Sequence, residues 1–451
     1  MISAVFLCLI LAVVTTSGGP VSGDCGGEKN TKPIIKDEPT LVSTTTNGKR
    51  YVVGSGYNKI NIVHLYGAPY EMGQALGTLM KDELNMLIAE YFLYLEKQID
   101  QILKIVPPFI AQWISEKGLK GALDLNYEIT RLYTPPWYDE EMKGIEAGSG
   151  VSYEDIRRLN LLPELIKAAC SVIGAWGNSL SESKREINTS LLHLRALDWD
   201  KNAPIAKYAT IVVYHPSASY SGYGNLYKYY KHNYASHAMA NFGYPGLVGS
   251  ITAYSEASVG LGEKVWITAK GDDITTRLGN PWTYVLRDVA QFSSDLETAL
   301  TMMINAKRTC SIHLGLGAVN RNQTLFEEVQ FRGVEYSEKE LNFYNWNDMF
   351  ENRGHPLIKD IVYWDKHVQP SDNPCLSSLL TAQYGNLDAE TLIREVTSVS
   401  ETGDTMNAIF DYGENAVYIA YSAPQDPEGP LEAYKRSHTR IDMGKLFNEK
   451  L

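Results

Sequence analysis

Ala168-Ala169-Cys170-Ser171-Val172-Ile173-Gly174-Ala175-Trp176-Gly177 is followed, after a polar stretch from Asn178 to Thr189, by Leu191-Leu192-His193-Leu194-Arg195-Ala196-Leu197-Asp198-Trp199-Asp200. Two apolar runs joined by a polar, turn-like connection read as a β-hairpin. The first strand begins at the cysteine. Antiparallel pairing returns Arg195 and Asp198, near the end of the second strand, to the neighbourhood of Cys170. On spacing alone Cys170 reads two ways. It is a small buried hydrophobe beside an ordinary Arg195–Asp198 ion pair, or it is a nucleophile with two charges at hand. A papain-like Cys–His pair would have to draw on His193, His215, His232 or His237, none of which lies in a recognisable local signature.

The pattern upstream of the hairpin is helical. Met72, Leu76, Leu79, Leu84, Leu87, Tyr91, Leu95, Ile99, Ile102 and Val106 recur at steps of three and four, which predicts one long helix ended by Pro107-Pro108. Gly73 and Gly77 share a face of it and predict close packing on a neighbour. Further helices are expected over 109–125 and 138–146, and another after Ser152, which with Asp155 forms a capping box. Residues 24–50 are poor in apolar side chains and read as a mobile leader, with one or two strands over 51–66. Downstream of Ala168, short strand-like runs dominate to residue 268, and the Tyr-rich stretch 217–244 reads as a hairpin with aromatic cross-strand pairs. A helix over 281–307, strands over 311–335, a helix over 388–398 and paired strands over 407–422 complete the order. Helices, a run of strands, a helix, then strands again make an α+β chain rather than an alternating βαβ one.

The chain has 451 residues, 44% hydrophobic and 21% charged, which is globular composition. Its net charge of −12 and the lack of any basic run argue against nucleic-acid binding. Ala4 to Val14 is an apolar run too short to span a bilayer and matches a signal-peptide core, with cleavage expected near Gly23 or at Ser17. No later stretch is long and apolar enough to cross a membrane. The sequence therefore places the protein on the secretory route, secreted or lysosomal, with Asn188 and Asn322 as glycosylation acceptors. Of five cysteines, Cys8 would leave with the signal. Cys310 and Cys375 are read as the disulfide of an oxidising compartment. No metal-ligand spacing and no phosphate-binding glycine loop is present, so no cofactor is expected.

The Cys-Ser-Val-Ile-Gly-Ala-Trp-Gly segment and the following Leu-Leu-His-Leu-Arg-Ala-Leu-Asp-Trp resemble the cysteine N-terminal-nucleophile hydrolases, in particular the penicillin acyltransferase-like group. Penicillin V acylase, bile salt hydrolase and acid ceramidase are more distant members. The likeness extends to 64–77, 141–155 and 279–287, and spans roughly residues 60 to 425. It implies a four-layer αββα sandwich with a helical N-terminal segment. It also implies a precursor that cuts itself between Ala169 and Cys170, giving a signal peptide 1–23, an N-terminal chain 24–169 and a strand-rich catalytic chain 170–451. The two processed chains would stay associated.

The resemblance gives Cys170 the nucleophile's role, Asp198 the hold on the new α-ammonium, and Arg195 the lowering of the thiol pKa. A thiol is mostly protonated at neutral pH, and an α-amine can take its proton where an amide cannot. The chain departs from the family pattern at Ala196, which replaces an Asn, and at Ser255, which stands where an oxyanion-stabilising Asn is usual. Ser255, Asn280 and His313 are the remaining oxyanion candidates. The implied activity is hydrolysis of linear, non-peptide C–N bonds in small-molecule or lipid amides, such as N-acyl amino acids, through an acyl-cysteine. Transfer of the same acyl group to an amine, and a catalytically inactive binding module, are the alternatives.

Overall fold

The computed structural model describes residues 25–166, 168–187, 189–217, 220–267, 273–319, 331–350 and 354–451. The expected signal peptide and the expected glycosylation acceptors Asn188 and Asn322 lie outside the described residues. Among the described residues, no helix is long and apolar enough to cross a membrane.

Among the described residues, sixteen strands form two sheets. The larger contains β1 (Thr40–Thr45), β2 (Gly48–Val53), β3 (Ile60–Gly67), β6 (Thr210–Pro216), β7 (Met239–Gly243), β8 (Thr252–Ser255), β9 (Val259–Val265), β10 (Ser311–Ala318), β11 (Phe331–Ser337) and β12 (Leu341–Tyr344), in that spatial order. The smaller runs β13 (Ile361–Trp364), β4 (Ala169–Trp176), β5 (Leu191–Asp198), β14 (Met406–Asp411), β15 (Ala416–Tyr421) and β16 (Thr439–Asp442). Every pairing is antiparallel except β3 with β6.

Three separate apolar cores define the layers. One lies between the large sheet and the helices over 69–165 and 282–305; Val212, Leu261 and Leu314 face it. A second fills the space between the sheets, with Val172, Phe242, Tyr254, Phe331, Ala408 and Phe410. The third lies between the small sheet and the helices Cys375–Ala382 and 389–397, with Ile173, Leu194 and Ile409. Three cores between four layers make an αββα sandwich, the arrangement expected of the fold class. Strand alternation sorts neighbouring residues into different cores. Val172 faces the other sheet while Ile173 faces the outer helices.

The two sheets meet through glycine. A Cβ on Gly262 would lie 2.5 Å from Arg195 Cγ, one on Gly315 2.4 Å from Val172 Cγ1, and one on Gly174 2.3 Å from the Phe331 ring. The helix pair Pro69–Leu79 and Pro136–Ser149 uses the same device. Gly73 faces Glu141 O at 2.0 Å from its ideal Cβ, and Gly144 faces Tyr70 O at 2.2 Å, which is the close packing that Gly73 and Gly77 predicted.

Several expectations are corrected. The long helix is three helices, Pro69–Leu79, Lys81–Lys97 and Ile99–Ile105, broken at Met80 (φ −120°) and Gln98 (φ −95°). Its stripe is continuous, but the first helix takes its direction from its glycine contacts. Among the described residues, the Tyr-rich stretch forms no hairpin of its own: it holds a 3-10 turn, the helix Leu226–Tyr230 and β7. Its rings pack on helices, Tyr223 against Trp137 and Phe292, because helical side chains rather than a partner strand lie above it. The leader is tied down. Asn30 Nδ2 donates to Tyr434 O (2.8 Å) and Arg436 O (3.0 Å), and Ile35 bridges Thr439. Cys25 is disulfide-bonded to Cys375 with Cα atoms 5.2 Å apart, so the expected Cys310–Cys375 bridge does not form. Cys310, just before β10, is buried in the core between the large sheet and its helices and is not in a disulfide; its Sγ lies 3.9 Å from Glu164 O. Cys375 opens a helix of the opposite outer layer, so the whole sandwich separates them.

Candidate active site

The hairpin read from the sequence is β4–β5. Its register sets Cys170 opposite Leu197 and Ala169 opposite Asp198. Alternation then divides the three candidate residues between two faces. Cys170 and Arg195 point into the space between the sheets, and Asp198 points to the outer helical layer.

Cys170 is fully buried. Arg195 Nη2 donates to its Sγ at 3.2 Å. The guanidinium is itself held: Nε donates to Glu263 O at 3.2 Å, and Nη2 lies 3.5 Å from Glu263 Oε2. Gly262 provides the room for Arg195 between the sheets. Burial pushes the Cys170 thiol up to about 12; the Arg195 charge opposes this, and Glu263 and Asp198 add to it. In the intact chain the thiol is therefore neutral across the physiological range.

On the opposite face, Asp198 Oδ2 accepts from Thr402 Oγ1 (2.6 Å) and Oδ1 from Gly403 N (2.7 Å). Ser171 Oγ shares a hydrogen bond with Thr402 Oγ1 at 2.6 Å. Asp404 is also close and accepts from Trp199 N at 2.9 Å. Burial raises both carboxyls, and the adjacent Asp198 helps push Asp404 up to about 7. Lys264 is buried on β9, two residues from Gly262 on the same face. Burial lowers its pKa, opposed by Cys170, Asp365 and Asp198.

The oxyanion candidates separate. His313 is the ladder partner of Lys264 and lies between Trp266 and Trp364, each with ring centroids 5.1 Å away, on the inner face of β10. Ser255 is not brought to the thiol. Tyr254 faces the other sheet, so Ser255 faces the helices, and its Oγ accepts from Val259 N at 3.3 Å. Val259 and Gly262 are three residues apart on β9, roughly 10 Å along the strand. Asn280 lies in the helical layer, where its carbonyl accepts from Thr309 Oγ1 at 3.2 Å. Of the four histidines considered for a Cys–His pair, only His193 reaches the between-sheet face of β5. It packs between Phe331 and Phe410, and burial lowers its pKa to about 3.

A small cavity of about 30 Å³ adjoins the thiol's partners. It is walled by Arg195, Leu197, Phe242, Leu247, Met406 and Tyr421 among others, and is mostly apolar. The buried polar atoms on this wall without a hydrogen-bond partner among the described residues include Arg195 Nη1 and Thr252 Oγ1. Sequence reading takes Glu263 only as part of an acidic cluster with Asp198 and Asp200, and passes over Lys264, Thr252 and Thr402-Gly403-Asp404. The alternating glycines Gly260, Gly262, Gly315 and Gly317 were the available signal, since they mark where a second sheet comes close.

This is an αββα protein with a cysteine–arginine pair in its between-sheet space. No family model matches the sequence. The chain is 36% identical to protein dcd1A of Dictyostelium discoideum over 467 residues, covering 100% of this chain and 99% of the relative. It is 34% identical to protein dcd1B of the same organism over 430 residues, covering 92% and 81%. It belongs to the family of these two proteins. Among solved structures it is similar to a Caenorhabditis elegans N-acylethanolamine-hydrolyzing acid amidase ortholog (10% identity, 60% of this chain and 98% of that one, TM-score 0.36). It is likewise similar to penicillin V acylase from Agrobacterium tumefaciens (12% identity, 62% and 89%, TM-score 0.38).

Proposed function

We propose that this protein is a self-processing amidase that cleaves the C–N bond of N-acyl amines through an acyl-Cys170 intermediate. The observation that carries the reading is the placement around one strand end. The Cys170 thiol accepts from Arg195 on one face, and the Asp198 carboxylate flanks Ala169 on the other.

Self-cleavage would begin with Sγ adding to the Ala169 carbonyl carbon. The Ala169–Cys170 C–N bond breaks as the thiol proton passes to the nitrogen, giving a thioester and a free α-amine. Water then hydrolyses the thioester, leaving the Ala169 carboxylate and Cys170 as a new N-terminus. That amine can take the thiol's proton, which no group in the intact chain does at a thiol pKa near 12. Asp198 would hold the resulting ammonium. The thiolate, stabilised by Arg195, would attack the substrate carbonyl; its oxygen would take the open donors Arg195 Nη1 and Thr252 Oγ1, and the leaving amine would take the proton. Water, as final acceptor, makes this a hydrolase. The mostly apolar cavity beside Arg195 favours an apolar acyl group. The secretory or lysosomal route and N-glycosylation at Asn188 and Asn322 belong to the same proposal.

N-terminal sequencing of the purified protein tests this, beside Cys170→Ala and Cys170→Ser. A second N-terminus at Cys170, absent from the Ala variant, is expected. An intact chain after incubation at both neutral and acid pH would refute the amine-as-base mechanism.

A further inference from the structure

The cavity beside Arg195 has a neighbour. A second, polar cavity of about 310 Å³ lies further across the sandwich, with Arg50, Lys59, Asn61, Glu83 and Lys207 on its walls. Ala206 and Tyr421 line both cavities. Tyr421 is the last residue of β15, pairs with Met406 and is 9% exposed; Ala206 belongs to the 3-10 turn Pro204–Tyr208 and is 5% exposed. One aromatic ring and one methyl group are therefore shared by the walls of an apolar cavity and a polar one.

The strand order gives the direction. Along the small sheet, β4, β5, β14, β15 and β16 carry Cys170, Arg195, Met406, Tyr421 and Thr439 in turn. Arg195, Met406 and Tyr421 line the inner cavity, and Tyr421 and Thr439 the outer one. A chain attached at the thiol and lying across the strands meets apolar wall first and the Tyr421 ring next. Two strand spacings separate β5 from β15, about 10 Å.

We infer that Tyr421 is a specificity-determining residue that limits the length of the acyl group this protein accepts. The inference rests on the amidase reading and adds to it a substrate class, namely acyl groups that are apolar next to the carbonyl and short enough to end at the Tyr421 ring. A longer apolar chain would have to displace that ring from the core between the sheets or place its end among the charges of the outer cavity.

The test uses the full-length protein and a graded series of straight-chain N-acyl amides of one leaving amine, with kcat/KM measured for each length. Wild type should lose activity sharply beyond one length. Tyr421→Ala joins the two cavities and should raise the long-to-short ratio of kcat/KM by about tenfold or more, the worth of one to two accommodated methylenes. Tyr421→Phe keeps the ring and should keep the wild-type limit. An unchanged ratio in a folded, active Tyr421→Ala protein would overturn the inference and leave the amidase reading standing. So would a Tyr421→Phe profile matching that of Tyr421→Ala. If Tyr421→Ala shows no cooperative melting transition, Leu247→Trp decides. It fills the inner cavity from the other side and should move the limit to shorter chains; an unmoved limit overturns the inference. Wild type inactive on every length would refute the amidase reading and the length limit with it.

Discussion

Gly262→Ala puts the Cys170–Arg195 pairing to a direct trial. An ideal Cβ at this position lies 2.5 Å from Arg195 Cγ and 2.6 Å from Arg195 Cβ, about 0.9 Å inside ordinary contact at 3.4 Å. Arg195 Cβ is fixed by the β5 backbone, and the side chain is 1% exposed. The added methyl must therefore part the sheets locally or turn the guanidinium away from Sγ. Overpacking of this kind costs roughly 1–3 kcal/mol of stability. Losing a hydrogen bond from a charged donor costs about 1.5–3 kcal/mol, a ten- to hundredfold slowing of any step that needs the thiolate. Gly260→Ala is the matched control: on the same face of the same strand, its Cβ would meet the Tyr412 hydroxyl at 2.2 Å and not Arg195. Both variants should lower the melting temperature. Only Gly262→Ala should slow the appearance of the chain starting at Cys170, followed by intact-mass spectrometry. Equal slowing in both would assign the effect to sheet separation. Wild-type cleavage in a folded Gly262→Ala protein would refute the claim that Arg195 acts on the thiol from this position.

The Cys25–Cys375 disulfide joins residues on either side of the Ala169–Cys170 bond, so the processed protein should run as one species near 50 kDa without reductant and as two with it; two bands without reductant would contradict the pairing. Asp404, raised to about 7 by burial and by Asp198, binds its proton more tightly folded than unfolded, so it removes stability as pH rises from about 4 to about 7. Asp404→Asn should therefore gain melting temperature relative to wild type at pH 8 and match it near pH 4, a difference in which the other titrating groups cancel; a constant gap between the two proteins would show that Asp404 is not raised.

Much of the site was legible because it depends on local order. A polar connection between two apolar runs makes a hairpin, and its register follows from where the runs begin and end. The glycine pair in 69–79 was legible for the same reason. What escaped was set by distant parts of the chain. Ser255 had the right residue type near the right motif, but one step of strand alternation turned it to the helices. The 217–244 tyrosines look like strand residues, and the surface they meet is helical. Cys375 pairs with Cys25 across 350 residues, and no local pattern carries that information. Lys264 and Glu263 stand beside Cys170 only because two sheets close over glycines.

The split of the site across β4 bears on why cleavage should switch the protein on. In the intact chain the thiol faces the between-sheet space, where burial holds it neutral and Arg195 offers the main compensation. Asp198 cannot act as its base: it lies on the other face, engaged by Thr402 and Gly403. On the proposed mechanism a base would have to arise at the strand end, where the two faces meet, and the Cys170 nitrogen is the atom there. As an amide it belongs to the chain; as an amine it stands between Sγ and the Asp198 carboxylate. Breaking Ala169–Cys170 would thus create the proton acceptor and free its path to both partners in one step, with the β4–β5 register preserved by the pairs from Cys170–Leu197 onward.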